Sequence, residues 1–505
     1  MKRLDTLLLL AIGISFGIAF GTFFPVNAFD MMAIVGIAVI ACGFSLIGRP
    51  LFLRILFFLL ALLLGISLGS RSFSYWEHLP LPDASLVQTV VTVSPSVEKS
   101  FFQESEVSVE HYEGNAYFFP REKILLRESV MDRRRFGDRL TLACELKQPD
   151  EYVDISGHRV AYRLLLASRG IGYLCEKPTR VTMIGRSDDW ILSLRHSLFS
   201  VREKFVTALE RSLPAGEAAL SLGMLIGADE GFSEIEKNLF IRTGVTHVTA
   251  VSGYNITLIG ILLFFLAIVL GFYRRGASMV AIIGIIVYVL LVGAPASAVR
   301  AGVMGALFLL SLAIGRPGSG FRLWLLALAS MLFWNPLLLR FDIGFELSYL
   351  ATLALLLYAS VRERLWMPKN IAAIFFTELL YLSLFVEWLV APVILLRFGI
   401  FSSVSILANV FLVPIVPFLM LFAFLAAIVG LFIPGGVFFL NWPTFFLAHS
   451  FICGAEFLSG LPGSFFSDLS VSIWWVVLWY IVTGHLFWFF SNSGRTAPKA
   501  ERPSV

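Results

Sequence analysis

Long apolar runs separated by short polar loops dominate both ends of the chain. Near the N-terminus, the runs at about 7–24, 31–48 and 51–69 each approach the roughly 20 residues that a bilayer-spanning helix needs. After residue 245, further apolar segments lie near 248–272, 278–292, 301–314, 323–334, 345–358, 371–396, 404–416, 418–433 and 471–490. This pattern predicts a polytopic α-helical membrane protein, whose shorter helices must pack against protein or line a wet cavity.

Three other stretches are expected to lie on the membrane surface or to enter it only partly. The stretch 191–213 is amphipathic, and 218–227 is too short to span, so we expect the latter to be interfacial or re-entrant. The stretch 437–458 contains Asn441, His449 and Glu456, which favour an interfacial helix on the outer surface.

Between residues 71 and 190 the chain changes to the alternating pattern of a soluble β domain. Apolar and polar residues alternate with a period of two at 86–93, 106–112, 138–146 and 179–185. The stretch 158–170 is predicted to form an amphipathic helix. About five strands and one helix would give a small antiparallel domain with the size of an oligonucleotide-binding (OB) barrel.

The composition and charge agree with a membrane protein and indicate its orientation. Of 505 residues, 58% are hydrophobic and 15% are charged, and the mean hydropathy is +0.83. The net charge of +4 is too small to indicate a nucleic-acid partner by itself. The positive-inside rule assigns both termini and alternate loops to the cytoplasm, on the basis of Lys2, Arg3, Arg49, Arg54, Arg274, Arg275, Arg316, Arg322, Arg362, Arg364, Lys369, Arg495, Lys499 and Arg502.

The β domain is therefore expected outside the cytoplasm. Its two cysteines, Cys144 and Cys175, are expected to form a disulfide because thiols outside the cytoplasm usually pair. The basic residues Arg133, Arg134, Arg135 and Arg139 form a weak candidate for nucleic-acid binding, with a solvated turn as the alternative.

Polar side chains interrupt the apolar run that begins near residue 248. Ser252 and Asn255 would share one helix face, and Gly253 between them allows either a close backbone approach or a helix break. Two interpretations stay open. These groups either line a hydrated passage or join helices through interhelical hydrogen bonds.

Charged residues in the later apolar segments raise the same question. A buried Arg300 needs a partner or water, and Asp342 or Glu346 can supply the opposite charge. The alternative for Arg300 is an outer-interface position just before the predicted span, from which its side chain reaches the headgroups. Glu378 and Glu387 lie nine residues apart, hence on opposite faces of a straight helix, and either can be interfacial.

The chain has no motif for nucleotide hydrolysis or metal catalysis. It contains no GxxxxGK[ST], no HExxH and no paired-cysteine motif, and its seven histidines are scattered. We therefore expect no cofactor, no metal and no built-in ATPase. An intramembrane serine protease with Ser252 as nucleophile would require His485 as the base.

Three segments in order resemble the competence domain of the ComEC/Rec2 DNA-internalisation proteins. They are GEAALSLGMLIGADEGFSEIEKNLFIRTGVTHVTAVSGYNITLIG (216–260), GAPASAVRAGVMG (293–305) and NPLLLRFDIGFELSYLATLALL (335–356). The resemblance covers most of residues 210–490, and the region 71–190 is similar to the outer OB-type domain of that family. The motif positions of the family's channel are occupied by Ser252, Gly253, Ala298, Arg300, Gly344, Glu346 and Ser348.

Two departures from the family pattern are visible. Tyr254 and Asn255 stand where many members have Leu-His, and the chain stops soon after its last apolar segment, where many members continue into a β-lactamase-like nuclease domain. The candidate polar site thus comprises the residues Ser252, Gly253, Asn255, Arg300, Asp342, Glu346, Ser348 and Glu378.

The resemblance implies a polytopic α-helical membrane protein with a small extracytoplasmic β (OB-like) domain, which conducts single-stranded DNA across the inner membrane. It implies an outer DNA receptor, an outer nuclease and a cytoplasmic helicase-like ATPase as partners. The expected order is three transmembrane helices (1–70), the OB-like domain (71–190), amphipathic and interfacial helices (191–245), the channel (246–490) and a cytoplasmic tail (491–505). The alternatives are a small-molecule or lipid-linked transporter, the protease, and a family member without transport.

Overall fold

A computed structural model describes most of the chain. The described residues are 6–23, 50–77, 79, 86–94, 97–98, 103–112, 123–128, 135–149, 152–153, 159–160, 162–187, 189–227, 231–249, 251–315, 319–432 and 437–493. The second apolar segment predicted at 31–48, the tail after residue 493, Arg133 and Arg134 lie outside these residues.

Helices account for most of the described chain. Their bounds are α1 Thr6–Phe23, α2 Pro50–Glu77, α3 Tyr162–Ala167, α4 Trp190–Glu210, α5 Ala215–Ile226, α6 Glu234–Thr243, α7 Thr246–Thr249, α8 Gly253–Val269, α9 Arg274–Leu291, α10 Ala296–Ala313, α11 Gly320–Trp334, α12 Leu338–Phe341, α13 Ile343–Val361, α14 Ile371–Phe398, α15 Ser405–Phe411, α16 Val416–Phe432, α17 Val437–Ser459 and α18 Ile473–Ser493.

Six helical stretches among the described residues are long and apolar enough to cross a membrane: Phe58–Glu77, Arg274–Leu291, Ala296–Ala313, Ile343–Arg364, Ile371–Phe398 and Ser405–Leu431. They agree with the predicted polytopic membrane protein. One of them joins the segments predicted separately at 404–416 and 418–433, because a short 3₁₀ turn, Val413–Ile415, carries α15 directly into α16.

Two predicted helices begin or break at other residues in the structure. The segment predicted as continuous over 248–272 is divided into α7 and α8, because Ser252 has an extended backbone (φ −103°, ψ 168°). The segment predicted at 301–314 begins five residues earlier, at Ala296. Arg300 therefore lies in the second turn of a helix and not just before one.

The chain forms two compact units. The first contains Met1–Phe232, Thr249–Glu346 and Leu419–Phe445, and the second contains Ser233–Val248, Leu347–Phe418 and Phe446–Val505. In the second unit α14 packs against α15 and α18, and Phe240 and Phe451 are fully buried with their ring centroids 6.3 Å apart.

In the first unit, α8, α9 and α10 pack on one another around a common apolar core that includes Ile256, Ile285 and Ala298. The short helix α5 is buried from Glu217 to its end at Ile226.

The first unit also contains the predicted β domain. Its strands are β1 Leu86–Thr92, β2 Val97–Glu98, β3 Gln103–Tyr112, β4 Lys123–Glu128, β5 Asp138–Cys144, β6 Leu146–Lys147, β7 Tyr152–Val153, β8 Arg159–Val160, β9 Ile171–Glu176 and β10 Thr179–Arg186, whereas β11 Phe401–Ser402 and β12 Phe465–Phe466 belong to the second unit. The predicted helix at 158–170 is shorter than expected, since its first residues form β8 and α3 has six residues.

The main sheet closes on itself, because β5 and β6 lie near opposite ends of the strand order and are two parts of one strand. Its eight strands include the path β10-β5-β1-β3-β4-β9-β6, in which β4 and β9 are parallel. Because β6 follows β5 after the single residue Glu145, the two form one bent strand that pairs with β1 at one end and with β9 at the other. Residues of β5 alternate between buried and half-buried, as the period of two predicted.

Cys144 at the end of β5 and Cys175 in β9 form a disulfide, which confirms the predicted pair. Both residues belong to the core of the sheet, together with Val90, Leu126 and Leu140. The bond therefore ties the bent strand to its antiparallel neighbour β9 inside the core.

The helices α1 and α2 pack closely through glycines at intervals of four residues. A Cβ atom built on Gly17 would lie 2.0 Å from the Leu62 carbonyl oxygen, and one on Gly65 would lie 2.5 Å from the Ile14 carbonyl oxygen. Only glycine permits this separation of the two backbones.

Removing the disulfide should destabilise the protein. A cross-link across 31 residues contributes about 3–4 kcal/mol by restricting the unfolded chain. The double change Cys144→Ser and Cys175→Ser should therefore lower the thermal denaturation midpoint in detergent. Cys453→Ser, which removes an exposed free thiol, should leave it unchanged. Non-reducing peptide mapping that finds both thiols free would contradict the assignment.

Gly17→Ala should destabilise the α1–α2 pair by about 1–3 kcal/mol, because the new methyl group overlaps the Leu62 carbonyl. Gly484→Ala in α18 is the matched control, since no atom lies within 4 Å of the added Cβ. The measurement is thermal denaturation of both variants in the same detergent. Equal midpoints for the two would argue against this close packing.

Candidate functional site

Three helices have their first residues at one place in the first unit. The Ser297 hydroxyl at the start of α10 donates to the Val251 carbonyl just before α8 (2.9 Å). A Cβ on Gly253, the first residue of α8, would lie 3.5 Å from Ala301 of α10. Arg300 of α10 in turn contacts Asp342, which directly precedes α13. The N-terminal ends of α8, α10 and α13 therefore meet around Arg300.

Local sequence explains each interruption. Gly293 (φ 96°) and Ala294 (φ 55°) have left-handed backbones that end the preceding helix, and Pro295 follows as the N-cap of α10. The left-handed conformation is unusual for alanine. Before α13, Asp342 has an extended backbone (φ −108°, ψ 93°), and aspartate is a preferred N-cap residue.

Arg300 and Asp342 form an ion pair at this meeting point. The Arg300 Nη1 donates to Asp342 Oδ2 at 3.0 Å, with the arginine side chain 6% exposed and the aspartate side chain 20% exposed. The second oxygen, Oδ1, accepts the Phe345 backbone N–H at 3.0 Å. One carboxylate therefore compensates the buried guanidinium and also caps α13.

Gly344 leaves room for this pair. A Cβ at this position would lie 3.1 Å from both Arg300 Nη2 and Asp342 Oδ1. Gly344 itself is exposed, so the pair lies directly beneath the surface of the protein on that side. A larger side chain would crowd the pair and cover it.

The side chains of Asn255 and Ser252 form hydrogen bonds to other groups of the protein. Asn255 is fully buried, its Nδ2 donates to the Met224 carbonyl at 2.8 Å, and its Oδ1 accepts from the Ser252 hydroxyl at 3.1 Å. The Tyr288 hydroxyl donates to the neighbouring Leu225 carbonyl at 2.6 Å. These bonds satisfy carbonyls in the last turn of α5, so for Ser252 and Asn255 the geometry favours the helix-joining interpretation.

The remaining candidates are distributed over both units. Glu346 lies half-buried in the first turn of α13. Ser348 and Glu378 belong to the second unit, where Glu378 forms an ion pair with Arg362. The site therefore unites Ser252, Gly253, Asn255, Arg300 and Asp342, whereas Ser348 and Glu378 stay separate candidates.

In the β domain, Arg135 lies with its guanidinium 3.4 Å from the Glu203 carboxylate, so its charge is partly compensated. Arg139 lies on β5, opposite Val91 and Gly185 of the neighbouring strands.

Within the described residues no group of three His, Cys, Asp or Glu side chains could hold a metal ion.

Sequence reasoning missed two residues of the site. Tyr288 was hidden in the apolar run of α9, although a tyrosine hydroxyl in such a run needs a hydrogen-bond partner. Ser297 stood in a quoted motif, but its contact with Val251 joins residues 46 positions apart, which no local pattern reveals.

Comparison with known proteins gives a family match and one relative. The family model described as competence protein matches residues 224–492, more than half of the chain. The ComE operon protein 3 of Bacillus subtilis (strain 168) is 28% identical over 231 residues, which are 45% of this chain and 28% of that protein. The match therefore spans little more than a quarter of the relative's length. No solved structure matches the chain significantly.

Asp342→Asn should destabilise the protein by about 2–3 kcal/mol, because asparagine still caps α13 but removes the negative charge that Asp342 places against the buried Arg300. The double change Arg300→Met and Asp342→Asn should recover at least half of this loss. The free energy of unfolding in mixed detergent is measured for the wild type, for Arg300→Met, for Asp342→Asn and for the double variant. If the effects of the two single changes add to that of the double change within about 0.5 kcal/mol, the pair does not interact.

Proposed function

The chain belongs to the competence protein family, and from this premise we infer that it is an inner-membrane channel that conducts single-stranded DNA into the cytoplasm during natural transformation. The observation that carries the proposal is the Arg300–Asp342 pair at the meeting of three helix starts. DNA uptake as the role of this chain rests on the family and on the chemistry of that site.

The electrostatics of the site suit a passing phosphate chain. A single strand carries one negative charge on each phosphate, so its path must be hydrated and locally positive. Helix N-termini carry partial positive charge, and α8, α10 and α13 begin near Arg300. At rest Asp342 balances this charge. A phosphate that approaches past Gly344 can take over part of the hydrogen bonding that Asp342 provides.

The β domain is proposed to be the extracytoplasmic, OB-like part that captures DNA. Its principal strands in chain order are β1, β3, β4, the bent strand β5/β6 and β9. In space, β1 pairs with β3, β3 with β4, β4 with β9, β9 with the β6 end of the bent strand, and the β5 end of the bent strand with β1. This path and the parallel third and fifth strands support an OB-type barrel. The disulfide supports a location outside the cytoplasm.

The remaining assignments complete the proposal. Both termini are cytoplasmic, and the domain order is the one expected from the sequence, with the channel over 246–490. The chain carries no P-loop motif, so the pulling force comes from a helicase-like ATPase in the cytoplasm. An outer receptor and an outer nuclease deliver the single strand, and no cofactor takes part.

The alternatives make different predictions for mutants. A small-molecule or lipid-linked transporter would leave DNA entry intact when the gene is deleted. An intramembrane protease would lose its activity with Ser252→Ala, whereas a channel in which Ser252 only joins helices should retain DNA uptake. A family member without transport would show no uptake in any variant.

Uptake of labelled DNA should fall at least about tenfold in Arg300→Gln, with unchanged membrane levels and unchanged DNA binding at the cell surface. Arg275→Gln, which removes an exposed arginine at the start of α9, is the control and should retain uptake. Full uptake by a stably folded Arg300→Gln variant would overturn the proposed site.

A further inference from the structure

One short segment links the β domain to the Arg300–Asp342 pair. Residues 335–342 lie between α11 and α13, and include α12. We propose that this segment couples the β domain to the ion pair, with Arg340 as the residue that positions Asp342. The inference rests on the proposed function, because it describes how a ligand on the outer domain would act on the channel site.

The first end of the segment is attached to the β domain. Asn335 Nδ2 donates to the Ser168 carbonyl at 2.6 Å. Ser168 lies in the turn after α3, and Gly170 of the same turn accepts the Lys123 N–H of β4 at 3.1 Å. Leu337 is fully buried and packs with Ala167 and Phe73. A movement of the sheet at β4 is therefore transmitted to Asn335 and Leu337.

The middle of the segment is held by Arg340. Its Nη1 donates at 2.6 Å to the Thr22 carbonyl, in the last turn of α1. Its Cζ lies 5.2, 5.0 and 5.1 Å from the ring centroids of Phe23, Phe73 and Phe341. A guanidinium in contact with three aromatic rings and a helix-end carbonyl has a strongly defined position.

The other end of the segment is the ion pair itself. The N–H groups of Arg340 and Phe341 bond to the Leu337 carbonyl, and that of Asp342 bonds to Leu338 at 3.1 Å. This single hydrogen-bonded turn places Asp342 two residues after Arg340. Because Asp342 both pairs with Arg300 and caps α13, a shift of the turn changes both interactions at once.

Hydrogen exchange of the purified full-length chain in nanodiscs tests the coupling without DNA transport. In Asn335→Ala, exchange should accelerate at 168–170 and also, roughly tenfold, in the first turn of α13, where the Phe345 N–H bonds to Asp342. Arg340→Gln should have the same effect on α13, and Arg340→Lys, which keeps the charge near the rings, should restore most of the protection. Asn370→Ala removes the N-cap bonds of α14 and should leave 343–346 unchanged.

A second arm adds an oligothymidylate of about 20 nucleotides, long enough to cover one OB-type domain. In the wild type it should slow exchange at 343–346 several-fold. In Asn335→Ala it should bind with equal affinity yet lose this protection. Equal protection in both proteins would overturn the coupling, and so would Asn335→Ala or Arg340→Gln variants with unchanged exchange at α13.

The two proposals fail separately in this design. If the oligothymidylate does not bind, DNA capture by the β domain fails, and the DNA-free comparison alone decides the coupling. If DNA uptake depends on Arg300 but hydrogen exchange in the first turn of α13 is the same in Asn335→Ala and Arg340→Gln as in the wild type, the coupling fails and the channel proposal stands.

Discussion

A helix that ends inside an apolar environment leaves backbone groups that water cannot reach, and this constraint governs the first compact unit. Side chains supply the missing partners. Asn255 and Tyr288 bond carbonyls at the end of α5, Arg340 bonds one at the end of α1, and Asp342 caps the start of α13. The polar residues that look out of place in the sequence are therefore first of all the completion of interrupted helices.

The same constraint explains why charge gathers at one point. Where α8, α10 and α13 begin together, the positive ends of their helix dipoles create a positive region, and Arg300 adds a full charge that must be compensated. Asp342 bonds directly to Arg300. A region that is positive, paired with a partly exposed carboxylate and bordered by the small residue Gly344, suits a polyanion better than a neutral solute.

Much of this architecture could be predicted from sequence. The period of two located four strands, apolar length located most of the helices, and the location outside the cytoplasm expected from the charge pattern predicted the Cys144–Cys175 disulfide. Sequence patterns failed to predict the features that depend on tertiary contacts. The apolar run at 248–272 gives no sign that Ser252 breaks it, and the partner of Asn255 lies 31 residues away on the buried helix α5. The choice of Asp342 as partner of Arg300 depended on a turn that periodicity does not describe.

If the protein conducts DNA as proposed, the transported strand passes the helix starts around Arg300. A single strand containing photoreactive thiothymidine can test this when it is stalled in transit by a bulky end and cross-linked in the membrane, with the modified peptides identified by mass spectrometry. We expect cross-links within 252–255, 296–301 or 342–346. Cross-links confined to other membrane helices, obtained with a strand that is demonstrably in transit, would contradict it.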